Sequence, residues 1–165
     1  MKTIYLAGGC FWCIASCFNC LKSVYEVVSG FSGGKEVNPT YEDVKAQKTS
    51  HRETIKIDYD ESKISYEQLL NIFIHNVDLY DEEGQFIDRG HSYTLAIYYT
   101  SDEEKEIAET LLKHEEIKSG KSPCVSVEKF MSFYSAEEYH QNYNLTHPKE
   151  FEKELIESGR KNKRS

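Results

Sequence analysis

Four of the five cysteines fall within eleven residues, at Cys10, Cys13, Cys17 and Cys20, while Cys124 stands apart. The stretch with the clearest chemistry is Gly8-Gly9-Cys10-Phe11-Trp12-Cys13. Two glycines permit a tight turn, and Cys10 then opens a helical stretch running to about Lys22. Unpaired backbone N–H groups at a helix start favour negative charge, so this position suits a thiolate with a pKa below the ~8.5 of a free cysteine. Cys13 follows one turn later, within reach of a local disulfide. Phe11 and Trp12 wall an apolar pocket if they face the sulfur and are ordinary core residues if they do not. Cys17 belongs to the apolar stripe Ile14, Cys17, Phe18, Leu21 and reads as a core thiol. Cys20 lies between core edge and surface. Cys124, in a weak strand, reads as a buried thiol.

Four clustered thiols also raise a metal or Fe–S site. On one continuous helix they would spread along a face, and they would not converge on a zinc at ~2.3 Å. No metal or other cofactor is therefore expected. A general thiol–disulfide oxidoreductase using Cys10 and Cys13 is a second reading. The order of elements and the lack of a Pro-containing partner loop speak against a thioredoxin fold.

These residues must be positioned by one domain. The chain has 165 residues, 39% hydrophobic and 29% charged, with a formal net charge of −8, enough for a single hydrophobic core. The acidic balance speaks against sequence-independent nucleic-acid binding. No apolar run approaches the ~18–20 residues of a membrane span, and the N-terminus does not read as a signal peptide. The cytoplasm and a monomer are the expectations, and an odd, clustered cysteine set does not read as a secreted disulfide framework.

Strands are expected at Lys2–Ala7, Val24–Ser29, Glu53–Tyr59, Tyr93–Tyr99 and Val125–Phe130. Ser65 with Gln68 makes a capping box before a helix lined by Tyr66, Leu69, Leu70, Phe73 and Ile74. Ser101 with Glu104 opens another, with Ile107, Ala108, Leu111 and Leu112 inward. A short helix begins at Tyr41. Asp78–Ser92 reads as a long loop, and Ser135 precedes a helical segment carrying Tyr139 and Tyr143. Residues 1–150 form the catalytic domain of this reading. Residues 151–165 form an amphipathic, exposed tail with a basic end.

The motifs together resemble the peptide methionine sulfoxide reductase type A family over most of the chain. Gly8–Trp12 stands as that family's GGCFW, and Asn38–Tyr41 as its NPTY. Ser29–Gly34 is similar to its GYxGG turn, with Phe31 for Tyr. Thr49–Glu53 (TSHRE) resembles TGHAE. Asp88-Arg89-Gly90 and Tyr93 fit DxGxQYRS, and Phe133–Tyr143 (FYSAEEYHQNY) resembles FYPAEDYHQxY.

The resemblance implies a single α+β domain: a mixed central sheet with flanking helices, a ferredoxin-like core and long loops. It also implies roles. Cys10 attacks the sulfoxide sulfur, Glu53 protonates the oxygen if burial raises its pKa, and Tyr41 and Tyr93 hydrogen-bond that oxygen. Phe11 and Trp12 hold the methyl group, while Asp88, His140 and Tyr143 surround the substrate. The resulting Cys10 sulfenic acid is resolved by Cys13, and thioredoxin or glutaredoxin reduces the disulfide. Cys17 and Cys20 lie roughly 10–15 Å from Cys10 along a helix, too far for direct bridging, although each could exchange with the cysteine before it.

Departures from the pattern gather at the pocket mouth. Ser92 replaces Gln, Thr94 replaces Arg and Leu95 replaces Ser, while Ala15 and Ser16 stand where the first helix usually carries an acid. They bear on substrate preference, and they raise a substrate-binding member without turnover as a third reading.

Overall fold

A computed structural model describes residues 1–160. Alternating apolar residues and breaks produce β1 (Lys2–Gly8), α1 (Phe11–Ala15), β2 (Val24–Ser32), α2 (Tyr41–Lys45), β3 (Arg52–Tyr59) and α3 (Tyr66–His75). These are followed by β4 (Gly84–Gln85), β5 (Asp88–Arg89), β6 (Leu95–Tyr99), α4 (Asp102–Ser119), β7 (Val125–Lys129), β8 (Phe133–Ser135), α5 (Tyr143–Thr146) and α6 (Pro148–Ser158). Six strands form one sheet in the order β7-β6-β1-β3-β2-β8, and β4 pairs with β5 as a separate hairpin. Only β6 and β7 run parallel; the other neighbours in this sheet are antiparallel.

The inner strands β6-β1-β3-β2, with α1 and α3 as connections, have the split βαβ arrangement of a ferredoxin-like core. The mixed α+β domain matches the expectation. Ile4, Leu6, Ile55, Ile57, Leu95 and Ile97 from the sheet pack with Phe18, Leu69, Leu70 and Phe73 into the main core. The box at Ser65 closes as read, each side chain bonding the other residue's backbone. Ser101 caps α4, but Glu104 reaches back to the Thr100 N–H.

Four expectations need correction. The helix from Cys10 regularises only over Phe11–Ala15. Beyond it, the N–H groups of Cys17 and Phe18 bond carbonyls three residues back, and the Ser16 hydroxyl and the Cys17 thiol both take the Cys13 carbonyl. Side chains thereby compete with the ladder, and the segment tightens into turns. The continuous helix assumed for the four thiols is absent, yet among the described residues no three His, Cys, Asp or Glu gather to hold a metal ion.

Tyr93 is not in a strand. It ends a 3-10 turn, His91–Tyr93, that follows Gly90 at φ 119°. Cys124 is partly exposed rather than buried. The segment from residue 151 is not an exposed tail: Phe151, Leu155, Ser158 and Arg160 are buried. Its inner apolar face covers the two N-terminal cysteines. The rest of the expected basic end, residues 161–164, lies outside the described residues. Among the described residues no helix is long and apolar enough to cross a membrane.

Candidate active site

Cys10 sits at the N-cap of α1, and its carbonyl accepts from the N–H groups of Cys13 and Ile14 at 3.1 and 3.2 Å. Gly9 makes the turn into it at φ 87°, a left-handed conformation that favours glycine. All five cysteines are free thiols. The Cys10 thiol is pushed well up from its ordinary value by a hydrogen bond with Cys13 and by burial, with the charges of Cys13 and Asp88 adding to this and Arg160 opposing it. The expected helix-start stabilisation is not what holds this sulfur. The first N–H of the five-residue helix, that of Phe11, is given to Glu53 Oε1 at 3.0 Å.

Glu53 stands on β3 opposite Phe31 of β2 and is only 1% exposed. Its Oε2 is buried without a hydrogen-bond partner. Burial raises its pKa well above the carboxylate range, and Cys10 and Asp88 add to the rise. This direction favours the protonated carboxyl. The neighbouring residues fix its strand. His51 is fully buried; its Nδ1 accepts from the Gly34 N–H and its Nε2 bonds the Glu36 carbonyl. Arg52 donates to Thr94 Oγ1, the Tyr98 hydroxyl and Glu128. Sequence reasoning assigned neither His51 nor Arg52, although both flank Glu53 in the TSHRE motif.

Tyr41 opens α2, which Thr40 caps. Burial raises the Tyr41 and Tyr93 hydroxyls first, followed by the charge of Glu53, so both remain neutral donors. Ser92, at a departure from the family pattern, accepts from Gln47 Nε2 and so pins the turn carrying Tyr93. Thr94, at another, accepts from Arg52. Asp88 faces the same centre with Oδ2 buried and unbonded, and burial raises its pKa.

An aromatic layer closes the other side. The Trp12 ring lies 4.0 Å from Tyr143, and the Tyr41 ring 4.1 Å from His140, both stacked. Trp12 Nε1–H donates to His140 Nδ1 at 3.3 Å. Burial lowers the His140 pKa, so its ring is a neutral acceptor. Phe11 is buried in the main core, as one of its two readings had it, with its ring 5.9 Å from Tyr41 and 5.6 Å from His140.

Cys10, Glu53, Asp88, Tyr41 and Tyr93 are thus linked electrostatically around one point. Cys13 lies beside Cys10 at 1% exposure. Cys17 is half-buried against the core and Cys20 is exposed. Gln141 was missed as well. Its amide takes both the N–H and the carbonyl of Ser29 and also bonds the Ala136 carbonyl, which anchors the segment bearing His140. Arg160 falls in the stretch that the sequence marks as tail, and no local signal singles it out.

A buried carboxyl, two phenols and a cysteine pair on a ferredoxin-like core are the equipment of a thiol-dependent redox enzyme. A model of the peptide methionine sulfoxide reductase family matches residues 2–165, and the chain belongs to that family. It is an oxidoreductase of methionine sulfoxide. Among its relatives is the peptide methionine sulfoxide reductase MsrA of Bacillus velezensis, 43% identical over 156 residues, which is 93% of this chain and 88% of the relative. The MsrA of Picrophilus torridus is also 43% identical, over 148 residues, covering 88% and 83% of the two chains. Reduced Mxr1 from Saccharomyces cerevisiae superposes with a TM-score of 0.84 at 25% identity, covering 89% of this chain and 86% of that one. Methionine sulfoxide reductase A of Corynebacterium diphtheriae gives 0.83 at 25% identity, covering 89% and 75%.

Proposed function

We propose that this site reduces the S epimer of methionine sulfoxide, free or within oxidised proteins, through Cys10. The Cys10 sulfur attacks the sulfoxide sulfur while Glu53 gives its proton to the oxygen. Tyr41 and Tyr93 donate to that oxygen as charge builds. The oxygen leaves on Cys10 as a sulfenic acid, and methionine is released. The Cys13 thiol then attacks the sulfenic sulfur, expels water and forms the Cys10–Cys13 disulfide. An external dithiol, thioredoxin or glutaredoxin, takes up the oxidation and restores both thiols. Phe11 and Trp12 hold the methyl group by apolar contact. Asp88, His140 and Tyr143 line the substrate's surroundings. The enzyme works as a monomer in the cytoplasm.

One observation carries this reading: Glu53 is buried, with one oxygen on the Phe11 N–H next to the nucleophile's residue and the other unbonded, and burial pushes its pKa up. A carboxyl in that state is a general acid waiting for a basic oxygen. The test is turnover of dabsylated methionine S-sulfoxide and its R epimer, with dithiothreitol and with thioredoxin. Turnover of the S epimer is expected, and Cys10→Ser abolishes it. Glu53→Gln lowers it by roughly 10²–10⁴-fold. Cys13→Ser keeps a single turnover and loses thioredoxin-driven recycling. Equal rates on both epimers, or activity without Cys10, would overturn the proposal.

A further inference from the structure

The reaction asks for opposite ionisation states at neighbouring acids, a proton on Glu53 and none on Cys10. Burial serves the carboxyl and works against the thiol. The acidic groups bearing on Cys10 come from several elements: Cys13 on α1, Glu53 on β3, Asp88 on β5, Tyr41 on α2 and Tyr93 on the 91–93 turn. Lys45 of α2 bears on Glu53 and Asp88. From the far end of the chain, just past α6, comes a guanidinium.

Arg160 is 2% exposed. Its Nη2 donates to the Gly8 carbonyl at 2.7 Å, two residues before Cys10. A Cβ on Gly9 would stand 2.5 Å from the same nitrogen, so the guanidinium rests directly on the turn that delivers the sulfur. The carbon of its guanidinium lies 4.8 Å from the centre of the Phe86 ring. Phe86 holds φ 56°, an uncommon left-handed conformation for a bulky residue. Nε is buried with no partner. No salt bridge neutralises this cation among the described residues, although Asp88 lies within its field. A buried cation without a bonded counter-ion is costly in a fold unless an anion forms beside it.

We infer that Arg160 is a positioning residue that supplies the counter-charge for the Cys10 thiolate, so that the C-terminal helix completes the active site. The inference rests on the proposed role of Cys10 as nucleophile. When the thiol ionises, the new charge meets a guanidinium already desolvated and fixed against the Gly8-Gly9 turn. Glu53 accepts the first N–H of α1, that of Phe11, and burial favours its protonated form.

The test is the pH dependence of Cys10 alkylation by iodoacetamide in the reduced full-length protein, followed on the Cys10 peptide by mass spectrometry. Arg160→Gln removes the charge and retains an amide donor for Gly8. Citrulline at 160, introduced by semisynthesis of the C-terminal segment, removes the charge with the shape unchanged and covers the case in which the Gln variant fails to fold. Either change is expected to move the alkylation midpoint upward and to slow the reaction at neutral pH about tenfold, as a one-unit rise in thiol pKa requires. Arg160→Lys is expected to recover part of the loss. A folded citrulline protein with the wild-type midpoint would overturn the inference, as would Lys and Gln variants shifted equally. If Arg160 affects alkylation as expected while Cys10→Ser retains sulfoxide turnover, the charge pairing stands and the nucleophile assignment falls.

Discussion

Glu53 combines full burial with a single hydrogen bond, and this sets a measurable signature in stability. Burial favours the proton on this carboxyl in the folded chain, whereas the unfolded chain releases it near the ordinary ~4.3. A raised folded pKa therefore gives stability that is complete below that value and is lost as pH rises toward the folded one. Glu53→Gln keeps an oxygen for the Phe11 N–H and has no proton to lose. Its thermal midpoint should match the wild type near pH 4 and exceed it progressively toward pH 8, with about 2–4 °C for each kcal/mol. A wild type that stays ahead at every pH would refute the buried-acid account. Most of this site was legible residue by residue, because Cys10, Glu53, Tyr41 and Tyr93 lie in short motifs. The direction of the Cys10 shift was not. A helix start suggests a lowered thiol pKa, but the competing burial and the Cys13 bond come from packing that no local pattern records.

At the scale of elements, α1 and the turn before it govern the nucleophile. Gly9→Ala adds a Cβ at φ 87° that meets Arg160 and Gln85. The expected cost is about 1–3 kcal/mol, together with slower Cys10 alkylation, read by thermal melting and peptide mass spectrometry. Exposure also ranks the thiols of this segment: a bulky maleimide should label Cys20 first, Cys17 more slowly and Cys13 only on unfolding. The capped helices α3 and α4 and the alternating strands were readable, since their signals lie within a few residues. The length of α1 was misread, because the apolar stripe continues while Ser16, Cys17 and Cys20 divert the carbonyls. The strand β8 was hidden for another reason. It exists only through pairing with β2 about a hundred residues away, and Phe133–Ser135 alone carries no alternation long enough to mark it.

Taken as a whole, the molecule folds its end back over its beginning. Phe151 and Leu155 of α6, with Tyr143 of α5, form one apolar cluster with Cys10 and Cys13. Phe151→Ala should cost about 3–5 kcal/mol in denaturant unfolding and should also raise maleimide access to Cys13, although it lies 138 positions away in sequence. Stability lost without any change in Cys13 labelling would show that the helix does not roof the thiols. Such closure cannot be seen in a linear pattern, which is why the last segment reads as a surface tail. Sealing the cysteine pair under two short helices means that a reducing protein meets a closed door. If Cys10 and Cys13 pair as proposed, their disulfide would have to come to light before a dithiol could reach it, and a cross-link holding the C-terminal roof shut is expected to stop recycling after one round.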